Sequence, residues 1–295
     1  MDDLIVASRL IHFTAAALLF GAPLFRLAIA PQQESTGRGW ELAASIAALL
    51  SGLGWFAGVA ATMAGSFADA VAPDILQAVA FDTRFGHLWI GRLIALVAIA
   101  GLQLIRKPTR ERDFVLAILA AAFAASLVGV GHGMTGAGHG PAVARIHMVA
   151  DMVHLVCAVA WIGGLFCLGY VLHAVVAGHA TIEAARLALR RFSTMGYWAV
   201  ALIVISGCIN AFVMVPRPAS LISSDYGRAL LLKLALVGVM VAIALVNRLA
   251  LAPPIMASAD RKGVRTLWRS VLVEQGVAIL VLAAVARLGT IHPVP

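Results

Sequence analysis

Charged residues and cysteines are scarce in this 295-residue sequence. Asp, Glu, Lys and Arg make up 12% of the chain, whereas 62% of the residues are hydrophobic and the mean hydropathy is +0.96. A soluble globular domain carries about 25% charged residues, so this class is excluded. The three cysteines, Cys157, Cys167 and Cys208, all lie inside apolar runs and therefore indicate no extracellular disulfide framework.

Signatures of several enzyme and transporter classes are also missing. The sequence has no glycine-rich phosphate loop and no Asp-Lys-Thr-Gly phosphorylation motif. We therefore expect no enzyme, and no transport driven by ATP hydrolysis within this chain. The net charge of +8 comes largely from Lys and Arg in short segments between apolar runs, where such residues act as topology signals. The charge therefore indicates no nucleic-acid partner.

Long apolar runs predict an all-α integral membrane protein that lies in a lipid bilayer. Runs of about 20 residues or more are long enough to cross the hydrocarbon core. Most basic residues follow the odd-numbered runs, so the positive-inside rule predicts that both termini face outward, N-out and C-out. The eight predicted transmembrane helices cover approximately 4–30, 41–66, 86–105, 114–131, 145–172, 193–215, 228–249 and 268–290.

Residue spacings in the two halves of the chain match in the same order. We therefore predict two four-helix repeats, residues 1–140 and 141–295, related by an axis along the membrane normal because each unit has an even number of helices. Small residues in the first and fifth spans predict that these two helices pack together. The matched pairs are His12 with His154, Gly21 with Gly163, Ser51 with Ser206, Gly86 with Gly227, Arg92 with Lys233, and His132 with His292.

The fifth span concentrates polar and sulfur-containing side chains in an otherwise apolar helix. His147, Asp151 and His154 fall at i, i+4 and i+7 and so share one helical face, with Met148 and Met152 beside it. Ionisable residues at membrane depth usually face a protein interior or a wet cavity and indicate function. The alternative is that they are hydrogen-bonded structural groups between helices.

A metal site is the functional interpretation of this pattern. We predict that His12 and His154, each about two turns into its helix, form its core, with Met148, Met152 and Asp151 close by. The segment 131–140 is either a flexible strip that passes a metal onward or a solvated connection. The ligands that would meet the ion first are His132, Met134, His139, His147 and His292.

Copper suits this ligand set better than other metals. Thioethers favour Cu(I), and imidazole serves Cu(I) or Cu(II). Magnesium or calcium would require clustered carboxylates, but the spans offer only Asp151 and Glu274. A tight zinc site with Cys and His at fixed spacing is absent from the sequence.

Charge pairing is predicted at two places. Arg9 stands where the second repeat has Asp151, so we predict that these two side chains approach each other near the outer mouth. Glu274 is expected to form a structural pair with Lys233 or Arg92, with a role on the exit side as the alternative.

The second half resembles the copper resistance D family of inner-membrane proteins. The resemblance covers residues 145–292, and the first half looks like the N-terminal four-helix portion of full-length members. It implies a bacterial inner-membrane protein that handles copper, together with a separate periplasmic copper-binding partner. The motifs that carry it are His154-x-x-x-Ala158-x-x-Trp161-x-Gly163-Gly164, Arg191-Phe192-Ser193, Ser206-Gly207 with Asn210, Tyr226-Gly227 with Lys233, Asn247-Arg248, and Glu274.

The function expected from these features is copper import from periplasm to cytoplasm, contributing to copper homeostasis and resistance. Two alternatives stay open. Histidines on separate helices supply bis-His haem ligation in electron-transfer proteins. A copper-delivery or assembly factor would bind the ion without moving it across the bilayer.

Overall fold

Eight helices of the described chain are long and apolar enough to span a membrane, which confirms the predicted number and the all-α class. The computed structural model describes residues 2–31, 38–105, 109–130, 140–215, 217, 219–258 and 261–291. The eight helices are α1 Asp2–Leu24, α2 Arg38–Ala64, α3 Arg84–Leu104, α4 Arg110–Ala125, α5 Pro141–Val176, α6 Ile182–Met214, α7 Asp225–Val246 and α8 Arg261–Leu288.

The largest difference from the predicted spans is the start of α6. This helix begins at Ile182 rather than near 193, because Thr181 caps it by accepting a hydrogen bond from the Ala184 amide (3.2 Å). The first turns of α6 carry charged residues, so a prediction based on apolar runs leaves them out.

Short helical segments extend or connect the eight long helices. They are Phe25–Ile29 and Ser126–Gly129 after α1 and α4, Phe67–Ala70, Pro73–Gln77 and Ala78–Asp82 before α3, Ser220–Ser223 before α7, and Asn247–Leu251 and Ala252–Ala257 after α7.

Helices α1 and α5 lie against each other in the middle of the bundle. A Cβ atom added to Gly163 would lie 1.9 Å from the carbonyl oxygen of Ala17, and one added to Gly21 would lie 2.3 Å from the carbonyl carbon of Gly163. Only glycine permits two backbones to approach this closely. The predicted packing of the first span against the fifth is confirmed.

Contacts around this central pair occur in matched sets. Helix α1 packs on α2 as α5 packs on α6, α1 packs on α4 as α5 packs on α8, and the cross contacts are α1 with α8 and α5 with α4. The starts of α3 and α7 also match, since Thr83 accepts from the Gly86 amide (3.0 Å) and Ser224 from the Gly227 amide (2.9 Å). Such matching is what two copies of one unit produce, and the duplication itself stays a prediction.

A buried charge network links α1, α2 and α4 where α1 ends, which we call the Arg26 end of the bundle. Arg26 is 3% exposed and donates from Nε and Nη2 to the two carboxylate oxygens of Asp113, both at 2.8 Å. Its Nη2 also donates to Glu41 (2.5 Å), and Arg38 and Arg112 lie within 4 Å of Asp113. The positive-inside pattern treats Arg26 only as a topology signal, whereas the structure uses it to join three helices.

Substitution of Gly163 by Ala is expected to destabilise the protein by about 2 kcal/mol or more, because the new Cβ would overlap the α1 backbone. Gly238→Ala is the matched control, since a Cβ added there meets nothing within 4 Å. Thermal unfolding in detergent should give a lower midpoint for Gly163→Ala and an equal or slightly higher one for Gly238→Ala. Equal midpoints for Gly163→Ala and the unchanged protein would contradict the close contact.

Candidate metal centre

His12 is sealed inside the first four helices at 1% exposure. Its Nδ1 lies 3.0 Å from the Ala48 carbonyl oxygen and 3.2 Å from the Ser51 hydroxyl, both on α2. Its Nε2 lies 2.6 Å from Nη2 of Arg92 on α3. A guanidinium only donates hydrogen bonds, so Nε2 accepts and we assign the ring proton to Nδ1. Both ring nitrogens of His12 are therefore occupied.

Aromatic rings fill the space around His12. The ring centroids of Trp55, Trp89 and Phe123 lie 5.8, 5.7 and 5.3 Å from that of His12. The Arg92 guanidinium lies 4.1 Å from the Phe123 ring centroid and donates to the Phe123 carbonyl oxygen (2.8 Å). Arg92 thus takes the lone pair that a metal would need and rings surround His12, an arrangement that does not favour its predicted role as a metal ligand.

His154 is anchored in the same way but keeps one ring nitrogen free. Its Nδ1 lies 3.1 Å from the Ile203 carbonyl oxygen and 3.2 Å from the Ser206 hydroxyl, both on α6. Its Nε2 has no hydrogen-bond partner among the residues that the structure describes, and the side chain is only partly buried. A neutral imidazole whose Nδ1–H is fixed in this way presents Nε2 as a metal ligand. The shared site with His12 is not formed, since each histidine is held by helices of its own half.

Lys233 occupies the second-half position that corresponds to Arg92. Its ammonium group lies near enough to interact electrostatically with both Asp151 and His154. In the described part of the chain it makes no hydrogen bond to either side chain. A lysine is a flexible point charge, whereas an arginine is a rigid fork, so Lys233 leaves His154 accessible where Arg92 closes off His12.

Asp151 and Arg9 do not pair in the described structure, which corrects the predicted approach of these two side chains. Asp151 accepts a hydrogen bond from Asn210 on α6 (3.1 Å). The Arg9 guanidinium lies 4.6 Å from the Trp55 ring centroid and donates to the Gly289 carbonyl oxygen (3.2 Å) just after α8. The Trp55 ring and the free carbonyl of a helix end hold the Arg9 guanidinium, whereas its buried Nε has no hydrogen-bond partner among the described residues.

His147 is buried at 1% exposure, and neither of its ring nitrogens has a hydrogen-bond partner among the described residues. It stands one turn before Asp151 on α5 and interacts with it electrostatically. A buried polar side chain without partners is destabilising, so His147 is a candidate ligand.

Sulfur atoms complete the surroundings of this face of α5. Met148 and Met152 are both partly buried. Tyr226, which interacts electrostatically with Asp151, donates its hydroxyl hydrogen to the Met214 sulfur (3.3 Å). Four of the predicted ligands that would meet the ion first lie outside the described residues: His132, Met134, His139 and His292.

No preassembled cluster of three or more His, Cys, Asp or Glu side chains that could hold a metal occurs within the described ranges. The α5 face supplies one free imidazole nitrogen on His154, one carboxylate on Asp151 and one unpartnered imidazole on His147. Two or three moderate ligands are what a site needs if the ion must also leave.

Glu274 pairs with neither Lys233 nor Arg92, which corrects that prediction. It is 2% exposed, and its Oε2 accepts a hydrogen bond from Asn247 (2.8 Å). Asn247 follows Lys233 by 14 residues, or roughly 21 Å along a helix, so Glu274 meets the far end of α7. The partner of Glu274 belongs to the Asn247-Arg248 motif of the sequence, but residue spacing alone does not show that this motif and Glu274 meet.

The fold and site define a polytopic helical membrane protein with a polar face between α5, α6 and α7. Residues 1–142 match the family model "Copper resistance protein D-like, N-terminal domain", and residues 186–288 match "Copper resistance protein D". The chain belongs to the copper resistance protein D family. It is therefore a copper-related protein of the bacterial inner membrane, and these family names indicate copper resistance rather than an enzyme.

Three relatives extend over nearly all of the chain. It is 32% identical to inner membrane protein YebZ of Escherichia coli, covering 98% of both proteins. It is 30% identical to copper resistance protein D of Pseudomonas syringae pv. tomato, covering 99% of this chain and 97% of that protein. Identity to copper transport protein CutJ of Bacillus subtilis is 28%, over 95% of this chain and 51% of CutJ. No solved structure matches the chain significantly.

Replacing Arg92 by Lys copies the second half and is expected to release Nε2 of His12 for copper. Copper bound per chain, measured by elemental analysis after desalting, should rise by about one equivalent, and His12→Ala in the same protein should abolish the increase. Arg84→Lys, an exposed position on α3, serves as the control. An Arg92→Lys protein that folds and binds no additional copper would show that Arg92 is not what prevents His12 from binding copper.

Proposed function

We propose that the protein binds copper at Nε2 of His154 and carries the ion across the inner membrane from periplasm to cytoplasm. One observation carries the proposal. The two halves anchor equivalent histidines through Nδ1, but Arg92 takes Nε2 of His12 while Nε2 of His154 stays free. Relatives named for copper resistance and copper transport support copper as the substrate.

Asp151 and His147 are the proposed partners of His154 in the site. They precede it by three and seven residues, so all three lie on one face of α5. Met148 and Met152 are further ligands for Cu(I), whereas the imidazoles also serve Cu(II). Lys233 balances the charge of Asp151 in the empty protein and moves aside when the cation binds, since a buried carboxylate needs a positive partner in either state.

The orientation of the protein in the membrane rests on the positive-inside rule. Arg26, Arg38 and Arg112 gather at the Arg26 end, which we therefore assign to the cytoplasm. Both termini then face the periplasm, and His154 lies in the periplasmic half of α5. His132, Met134, His139 and His292 would meet the ion first, delivered by a separate periplasmic copper-binding protein.

The two halves, residues 1–140 and 141–295, are proposed to be copies of one four-helix unit related by an axis along the membrane normal. The matched histidine anchors support this, since Ser51 and Ser206 each lie 3.2 Å from the equivalent ring. In this proposal the first copy is structural and the second binds the substrate.

Haem ligation is less well supported than copper transport. Bis-His ligation requires a free nitrogen on each of two histidines, and His12 has none because Arg92 and Ala48 occupy its ring. A copper-delivery factor would bind the ion at the same site, so only a transport measurement separates the two functions.

Replacing His154 by Ala is expected to lower copper uptake into proteoliposomes at least tenfold and to remove the tight copper site. His179→Ala is the control, because His179 is exposed in the α5–α6 connection. His12→Ala should leave copper binding intact but destabilise the protein by about 1–3 kcal/mol, since Arg92 loses a buried partner.

Copper uptake, copper stoichiometry and Soret absorbance should be recorded on the same purified sample. Unchanged copper binding in folded His154→Ala would contradict the site. Binding without uptake in the unchanged protein would favour the delivery factor, and a Soret band with bound haem would favour electron transfer.

A further inference from the structure

A cavity of about 200 Å³ lies between α5, α6, α7 and α8. Arg191, next to the cavity residue Phe192, donates to the carbonyl oxygen of Ile29 (3.4 Å), so the cavity lies toward the Arg26 end. Most of its lining is apolar, including Trp161, Leu168 and Leu267.

Two polar side chains of this lining present acceptor atoms that nothing satisfies. Oε1 of Glu274 and Oδ1 of Asn247 are both buried and have no hydrogen-bond partner among the described residues. The basic residue Arg248 also lines the cavity, but it is held by two other lining residues: its guanidinium lies 3.7 Å from the Tyr197 ring centroid and donates to the Ser193 carbonyl oxygen (3.2 Å). Two unsatisfied acceptors in an apolar cavity indicate a site for a positively charged ligand.

The cavity continues the face of α5 that carries the proposed copper site. Trp161 follows His154 by seven residues, or about 10 Å along the same face of the helix, and Leu168 follows by seven more. Helix α7 makes the same connection, since Lys233 lies beside His154 and Asn247 lines the cavity. Trp161 is the residue between the two sites.

We propose that Oε1 of Glu274 and Oδ1 of Asn247 form a second, weaker copper station, which the ion occupies after it leaves His154 and passes Trp161. This inference rests on the proposed function. The carboxylate compensates the charge of the ion at membrane depth. Oxygen ligands hold Cu(I) less tightly than imidazole and thioether ligands do, so the station favours release toward the Arg26 end.

The test compares Glu274→Gln with the unchanged protein. Glutamine keeps the size and an acceptor for Asn247 but removes the charge. Copper uptake into proteoliposomes should fall at least tenfold, while the affinity of the His154 site changes by less than twofold. Titration with copper should show a second, weaker equivalent in the unchanged protein that Glu274→Gln lacks.

Glu183→Gln is the matched control, because Glu183 is an exposed carboxylate on α6 whose ion pair within the described ranges is with Arg186 (3.2 Å). Asn247→Leu, of similar volume, removes the second oxygen and gives an independent variant if Glu274→Gln does not fold. Size-exclusion profile and thermal midpoint identify the folded variants. In Asn247→Asp, which restores an oxygen at this position and adds charge, the weaker equivalent should be retained.

The outcomes separate this inference from the proposed function. Loss of uptake in His154→Ala but not in Glu274→Gln or Asn247→Leu would overturn the second station and leave the His154 site standing. Weakened copper binding at His154 in Glu274→Gln would give Glu274 a structural role and also overturn the station. Unchanged copper uptake that no longer responds to a proton gradient would assign Glu274 to a proton and overturn it as well.

Discussion

The backbone contact between α1 and α5 is the constraint on which the remaining geometry depends. No side chain fits between Gly21 and Gly163, so the two helices meet directly there. His12 and His154 each stand nine residues before their glycine and do not use that contact surface. Each ring turns instead to its neighbouring helix, α2 or α6, and hydrogen-bonds a backbone carbonyl and a serine hydroxyl there. The closest helix contact therefore keeps the two histidines apart.

The same anchor has opposite consequences in the two halves. Around His12, Arg92 forms a hydrogen bond at 2.6 Å and large rings fill the surroundings. Around His154, a lysine interacts without a hydrogen bond, and the position equivalent to Trp55 is Asn210, which binds Asp151. A rigid guanidinium between aromatic faces makes one copy a core element. The smaller and more polar neighbours leave Nε2 of His154 free in the other copy, and the proposed copper site rests on that difference.

Buried charges in this protein fall into two groups, according to whether their partners are present. Arg26 shares its hydrogen bonds between Asp113 and Glu41 and so joins helices through paired charges. His147, Glu274 and Asn247 each keep a buried polar atom without a partner in the described chain. The proposed ion sites rest on buried acceptor atoms at membrane depth that lack a partner. The buried atoms without partners in the described first half, on Arg9, Trp40, Arg92 and Arg112, are all N–H donors, which do not bind a cation.

The eight spans, the packing of the first span on the fifth and the family could all be predicted from the amino-acid sequence, because hydropathy and residue spacing are local properties of the chain. The sequence also drew attention to His154 and Asp151, since polar residues in an apolar helix are conspicuous. The folded structure was needed to show which ring nitrogen is free, and that Arg9 meets Trp55 and Gly289 rather than Asp151. Matched spacing indicates equivalent positions about an axis, and equivalent positions need not touch. Contacts depend on which neighbouring helix each face meets, and linear spacing does not encode that.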